Sequence, residues 1–196
     1  MRADAARNRE RVLEVAYKTF AVEGLSVSVD EIAKRAGVGP GTLYRHFPSK
    51  EDLVRAVIDD RLQHIVGEGH ALLQSGDPGQ ALFGFMRSLV LKWGATNEGL
   101  KHALAGSGIP IKIGPADKAF LAIVDELLEV AQNKGTVRTD VSAKDIKALI
   151  IGCQAMQTYT GRAAERLLDI VIDGLRPSAG KAGDRRGAAQ PKSRHR

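Results

Sequence analysis

The chain has 196 residues, 43% of them hydrophobic, and a formal net charge of +6 at pH 7. That length suits one good-sized or two small domains with a core that needs no cross-links, and the single cysteine, Cys153, excludes an internal disulfide framework. The first residues lack the apolar stretch of a secretory signal, and no apolar run approaches the roughly 20 residues of a membrane span. We therefore expect a cytoplasmic protein without a membrane partner.

The positive charge is concentrated at the C-terminus. Residues 177–196 carry six Lys/Arg against one Asp, whereas residues 52–176 carry fourteen Lys/Arg against fifteen Asp/Glu. The excess of basic residues is by itself a weak argument for nucleic-acid binding, since most of it lies in the tail. The small, polar composition of this tail predicts disorder, and both attraction of phosphate and a merely solvated basic end stay open.

Helical periodicity dominates the chain, and we predict an all-α fold. A first helix over about 4–23 carries an apolar stripe, and Gly24 stands where a left-handed C-cap belongs. Ser28 and Glu31 have the S-x-x-E spacing of a capping box, in which each side chain accepts from the other residue's backbone N–H. This second helix ends at Gly37.

A very short third helix is predicted over about 40–47. Pro40 suits its first position because proline has no N–H to lose there, and Leu43 and Phe47 are spaced to face inward. An isolated helix of this length is unstable in water, so neighbouring helices must hold it from behind. Ser49 then caps a long fourth helix.

Two short helices joined by the glycine turn "AGVGPG" and braced by longer ones form a helix-turn-helix. In that arrangement the second helix enters the DNA major groove with its first side chains at base edges. Gly39 and Gly41 remove bulk where backbone approaches backbone or phosphate. The candidate DNA contacts are Ser28, Gly41, Thr42, Tyr44, Arg45, His46, Lys50 and, on the first helix, Arg7.

Beyond about residue 70 the pattern predicts further helices and no strand. Asp77 and Pro78 open one of them as a cap and a first-turn proline. The expected helices cover about 78–93, 98–106, 116–134, 143–160 and a last one after Gly161, with a Gly/Pro-rich loop over 106–115. We expect a DNA-binding domain over 1–51, a second helical domain over 52–176 and a basic tail over 177–196.

The stretch "VDEIAKRAGVGPGTLYRHFPSKEDLVRAV" resembles the DNA-binding domain of the TetR/AcrR family of bacterial transcriptional regulators. It carries the I-A-x-x-A-G-V turn, the T-L-Y-x-H-F recognition helix and the S-K-x-x-L helix start at the family's spacing. The resemblance is close over residues 8–60 and only architectural beyond them. Pro40 departs from the family's pattern and cannot donate a hydrogen bond, so base readout shifts toward Thr42 and Arg45.

The resemblance implies a homodimer that binds a double-stranded, palindromic DNA operator and is released by a small-molecule effector. It also implies a dimer interface made by the final two helices of each subunit. Residues expected near that interface are Ile151, Gly152, Ala155, Leu167 and Ile170. Residues at such helical spacing more often belong to the core, but the candidates for lining an effector pocket are Met86, Trp93, Met156 and Tyr159.

Other classes of protein fit the sequence less well. A ligand-independent activator or global DNA-binding protein is the main alternative to a repressor. An enzyme lacks support, because we find no phosphate-binding glycine loop and no nucleophile with its base in a plausible setting. A scaffold that only dimerises leaves the recognition helix unexplained. Neither a cofactor nor a metal is expected, since the scattered histidines lack the spacing of a ligand pair.

Overall fold

A computed structural model describes residues 2–92, 115–160 and 163–177. Within these ranges the chain forms helices and no strand, which confirms the predicted all-α fold. No helix in them is both long and apolar enough to span a membrane. The helices are α1 (Arg2–Glu23), α2 (Val29–Arg35), α3 (Pro40–His46), α4 (Lys50–Gln74), α5 (Ala81–Arg87), α6 (Pro115–Asn133), α7 (Ala143–Thr160) and α8 (Ala163–Leu175).

Glycines in the left-handed region follow the first two helices. Gly24 follows α1 with a φ of 77°, and Gly37 follows α2 with a φ of 65°. The Val38 N–H donates to the Ala33 carbonyl at 3.0 Å and closes a Schellman motif at the end of α2. Both helices end where the sequence predicts, because a capping glycine acts within a few residues of chain.

The start of α2 differs from the prediction in half of its cap. Ser28 Oγ accepts from the Glu31 N–H at 3.2 Å, as expected. The Glu31 carboxylate accepts from Arg35 Nε at 2.8 Å instead of reaching back to the cap. Arg35 also donates to Glu23 at the end of α1, with Nη2 and Oε2 3.2 Å apart. A charged donor competes well with a neutral N–H, so the glutamate joins an ion cluster that ties α2 to α1.

The first apolar core joins α1, α2, α3 and the first turns of α4. Phe20, Ile32, Leu43 and Leu53 are each at most 1% exposed and contribute one large side chain per helix. This core extends along α4 as far as Val57. We call residues 2–57 the head. The domain boundary expected after residue 51 stays a prediction, but the apolar contacts of the head continue beyond it.

A second apolar core begins at Ile65 on α4 and includes residues of α5, α6, α7 and α8. We call residues 65–92, 115–160 and 163–177 the C-terminal unit. Gly69 is buried where α4 crosses α6, and a Cβ there would lie 2.5 Å from Ile123 Cγ1. Close packing of the two helices therefore requires the glycine inside α4.

The region after α4 is less regular than predicted. Asp77 caps it as expected, because its carboxylate accepts from the Gly79 N–H at 2.9 Å, but the first turn, Pro78–Gln80, is a 3-10 helix. After α5 the helix widens into a π-helical turn, Ser88–Lys92. Buried Gln154 of α7 donates its amide to the Leu89 carbonyl of this turn at 2.8 Å. The sequence predicts neither the turn nor its partner.

Some sequence predictions lie outside the described residues and are therefore not compared with the structure. They are Trp93, the helix over 98–106, the loop over 106–115, Gly161 and the tail from residue 178 onward.

Candidate nucleic-acid interface

The short helix α3 has one buried face and one exposed face. Leu43 and Phe47 are 1% and 4% exposed and pack into the core of the head. Tyr44 is 43% exposed, and Arg45 and His46 are exposed as well. The neighbouring helices therefore hold α3 from behind, as its length requires, and leave its polar side chains in front.

The start of α3 is built from glycine and proline. Gly39 is the N-cap residue and makes no side-chain cap bond, and Pro40 occupies the first turn. Gly39 has an ordinary negative φ of −67°, and a Cβ on Gly41 would meet nothing within 4 Å. Among the described residues, neither backbone strain nor packing demands Gly41, and its surface stays open to an outside molecule.

Arg45 folds back along the exposed face of α3. Its Nε donates to the Gly41 carbonyl at 3.1 Å, and one Nη donates to Thr42 Oγ1 at 3.3 Å. These contacts bring three predicted DNA-contacting residues into one exposed cluster. Both hydrogen bonds are within a single helix and near solvent, so exchanging them for a base or phosphate contact costs little.

The start of α4 lies next to the end of α3 and is held by a complete capping box. Ser49 Oγ accepts from the Asp52 N–H at 3.1 Å, and the Asp52 carboxylate accepts from the Ser49 N–H at 3.2 Å. Lys50, the first residue of α4, is half-buried beside this cap. A fixed helix start combined with a lysine is suited to a phosphate, because first-turn N–H groups point outward along the helix axis.

Arg9 is a basic residue of this surface that the sequence did not single out. Its guanidinium lies 5.8 Å from the centroid of the Phe47 ring, at the C-terminal end of α3. The His46 ring also lies against Phe47, with a centroid distance of 6.2 Å. Arg9 is thus positioned beside the end of α3. Arg7, the residue predicted from the sequence, lies on α1 and is exposed, as Arg9 is.

Two arginines in or next to the head are held by carboxylates of the protein itself. Arg35 is held by the carboxylates of Glu23 and Glu31, and these hydrogen bonds raise the pKa of its guanidinium above the ordinary value. Arg61 of α4 is 9% exposed and pairs with Glu14 of α1. Internal carboxylates therefore neutralise two of the basic side chains that a charge count would assign to DNA.

The predicted dimer residues lie on α7 and α8, and four of the five are exposed. Ile151 and Ile170 are 50% and 57% exposed, which is unusual for isoleucine, and Gly152 and Ala155 are exposed beside Ile151 on α7. Leu167 is half-buried on α8. We call these five residues the α7–α8 face. Their role as an interface stays a prediction.

The predicted pocket residues lie in different surroundings. Met86 is 0% exposed in the second core, and Met156 is half-buried against it. Trp93 and the side chain of Tyr159 lie outside the described residues. In the described part of the chain no group of three or more His, Cys, Asp or Glu side chains is arranged to hold a metal ion.

Comparisons with known proteins match both halves of the chain. The family model described as "Bacterial regulatory proteins, tetR family" matches residues 12–57. The model described as "Transcriptional regulator SbtR-like, C-terminal domain" matches residues 77–177. The chain therefore belongs to the TetR family of bacterial transcriptional regulators, and it is a DNA-binding regulator.

Solved structures agree with this assignment over nearly the whole chain. A TetR transcription regulatory protein from Mycobacterium vanbaalenii is 51% identical over 90% of this chain and 99% of its own, with a TM-score of 0.76. A TetR transcriptional regulator from Streptomyces coelicolor is 33% identical over 87% of this chain and 99% of its own, with a TM-score of 0.73. The fold is therefore shared from the head through the C-terminal unit.

Curated relatives match a short part of the chain. An HTH-type transcriptional regulator of Staphylococcus aureus is 52% identical over 59 residues, which are 30% of this chain and 32% of that protein. The chain thus spans about a third of the length of the curated relatives it matches.

Proposed function

We propose that this protein is a homodimeric repressor that binds a palindromic operator and releases it when a small molecule binds. The observation that supports DNA reading most directly is the two-faced α3. Leu43 anchors this helix in the head, while Tyr44 and Arg45 stay exposed on its front. A protein that acts on chromosomal operators works at the nucleoid, in the cytoplasm.

Each predicted contact has a distinct role in this proposal. Thr42 and Arg45 read base edges, because threonine offers a methyl and a hydroxyl and arginine can bind guanine with two hydrogen bonds. The remaining contacts position the helix on phosphates and carry no sequence information directly. This phosphate set comprises Tyr44, His46, Lys50, the N-terminus of α2 at Ser28, and Arg7 and Arg9 on α1.

Dimerisation through the α7–α8 face explains why two isoleucines are left exposed on adjacent helices. A two-fold dimer presents two heads, and two heads read two inverted half-sites about one helical turn apart or a little more. The open space around Gly152 lets a partner helix approach closely, because no side chain in the described part of the chain lies within 4 Å of its Cβ position.

Release by an effector requires two states of the C-terminal unit. A small molecule shifts the population toward the state without DNA affinity only if it binds that state more tightly. The helices around Met86 and Met156 are the candidates for this binding region, since soft, flexible methionines adapt to apolar ligands.

Fluorescence-anisotropy titration of a labelled duplex from upstream of its own gene tests the proposal. The expected complex contains two chains per duplex, resists random competitor DNA and weakens steeply with salt. Tyr44→Ala should weaken this binding at unchanged helicity. Binding that random competitor abolishes would instead favour a global DNA-binding protein.

A further inference from the structure

Arg61 lies at the boundary between the two cores. On α4 the side chains up to Ile58 pack with the core of the head, and those from Leu62 onward pack with the core of the C-terminal unit. Arg61 is 9% exposed, and among the described residues it is the one charged side chain that is buried. A buried charge at a boundary between cores requires specific partners.

Two partners of Arg61, Glu14 and Tyr17, are on α1. One Nη donates to the Glu14 carboxylate, and the guanidinium lies over the Tyr17 ring, 3.7 Å from its centroid. Lys18 also binds Glu14, with Nζ 3.1 Å from Oε1. The carboxylate fixes one edge of the planar guanidinium and the ring fixes its face, so the two contacts together define its orientation.

Directional contacts of this kind restrain the angle between two helices more strongly than apolar packing does. Aliphatic side chains in a core attract without a preferred direction, so two helices can tilt against each other at small cost. An ion pair combined with a stacked ring loses its geometry on the same tilt. Because α1 packs on α2, and α2 on α3, the angle at Arg61 is passed to the recognition helix.

The distance along α4 from Arg61 to the DNA-facing end is large enough for a small tilt to displace that end by several ångströms. Arg61 is eleven positions along α4 from Lys50, which corresponds to about 16 Å of helix. A tilt of about 10° over that length moves the DNA-facing end by about 3 Å, close to the ~3.4 Å spacing of base pairs along a strand.

We propose that Arg61, held by Glu14 and Tyr17, sets the angle between α1 and α4 and thereby determines which half-site spacing the dimer accepts. Arg61 is a positioning residue, since it acts through α1 and α3 and touches no base. The inference rests on the proposed function, because a spacing preference exists only for a dimer that reads two half-sites.

The test uses the full chain and an operator that the wild-type protein selects from random duplex DNA. Its two half-sites are then moved together or apart in steps of one base pair, and affinity is measured for each duplex. Arg61→Met keeps an unbranched side chain of comparable reach but removes both directional contacts. We expect the affinity ratio between the best spacing and one two base pairs longer to fall by about tenfold, with unchanged base preference within each half-site.

Arg176→Met is the matched control. Arg176 also lies over an aromatic ring, 5.1 Å from the centroid of Phe83, and pairs with a carboxylate, Asp173, at 3.4 Å. The Arg176→Met variant loses the same charge, but from the C-terminal unit, and it should keep the wild-type spacing profile. Glu14→Gln provides a second variant of the Arg61 cluster that keeps the size of the side chain and is expected to broaden the profile.

The outcomes separate the two proposals. A wild-type protein that selects no paired half-sites contradicts the proposed function, whatever the variants do. If the wild-type protein shows a spacing optimum and a folded Arg61→Met keeps it, or loses affinity equally at all spacings, Arg61 has only a structural role and the inference is wrong. If Arg61→Met does not fold, an unchanged profile for Glu14→Gln overturns the inference equally.

Discussion

The head and the C-terminal unit have similar interiors and different exteriors. Both enclose aliphatic and aromatic side chains that solvent hardly reaches. The head exposes polar and cationic groups around α3, such as Arg45 and His46, whereas the C-terminal unit exposes Ile151 and Ile170. Core composition therefore says little about function, and the two units differ instead in the chemistry of the side chains that they leave exposed.

The largest effect is expected from shortening Leu43, the side chain that anchors α3 in the core of the head. Leu43→Ala deletes a side chain that is 1% exposed, and we expect a loss of about 2–5 kcal/mol of unfolding free energy together with operator binding. Hydrogen exchange should accelerate in α2 and α3 and stay slow in α6. Equal acceleration in both regions would show that the two cores unfold as one unit.

A charge introduced on the α7–α8 face should disrupt only the proposed dimer interface. Ile170→Asp places an unpaired carboxylate in the proposed interface, and we expect about 3 kcal/mol weaker association, or roughly a hundredfold. Sedimentation velocity measures this change. Val22→Asp, at a side chain that is 84% exposed in the head, is the control and should leave the dimer intact. If the Ile170→Asp protein stays a dimer, the dimer interface lies on a different surface.

Within the head, Arg45 and Arg35 should differ in DNA recognition. Arg45→Ala removes a base-reading side chain, so operator affinity should fall by about 1–3 kcal/mol and specificity should relax at one position of each half-site. Arg35→Ala removes an arginine already held by Glu23 and Glu31, and base preference should stay the same. Binding to a panel of single-base operator variants distinguishes the two results.

Lys50 should contribute to affinity without contributing to sequence preference. Lys50→Ala removes one phosphate contact per subunit, so binding should weaken equally on all operator variants. The slope of log affinity against log salt should become less steep by about one unit for each subunit. Lys134→Ala, at the exposed end of α6, should leave the slope unchanged. An unchanged slope for Lys50→Ala would mean that α4 does not approach the DNA backbone.

The smallest expected effect is a pH dependence of the contact between α1 and α4. Burial alone would raise the pKa of Glu14, but hydrogen bonds from Arg61 and Lys18 outweigh it and lower the pKa below its ordinary 4.5. The stabilisation from this pair is therefore present above pH 4.5 and is lost as the pH falls through the lowered value. Denaturation of wild type and Glu14→Gln should differ at neutral pH and converge in acid. A difference that stays constant as the pH falls from neutral into acid would contradict this assignment.

Local chemistry made several features predictable. Gly24, Gly37 and Ser49 each mark a helix end through contacts with atoms only a few residues away, so the sequence alone is enough to predict these helix ends. The buried and exposed faces of α3 follow in the same way from the spacing of Leu43 and Phe47.

Contacts between distant parts of the chain were not predictable in this way. The capping box expected at Ser28 gave way on one side to Arg35, because Glu23 lies twelve positions before that arginine in the chain but beside it in the fold. The hydrogen bond from Gln154 to the π-helical turn joins residues 65 positions apart.

The sequence by itself determined where the helices of the head begin and end, which face of α3 is buried, and the family to which the chain belongs. These properties depend on residues close together along the chain. Tertiary structure decided the further pairing of two arginines, because Arg35 meets Glu23 and Arg61 meets Glu14 only when α1, α2 and α4 pack together. Charge is a property of a residue type, whereas the neutralisation of that charge depends on what the fold brings next to it.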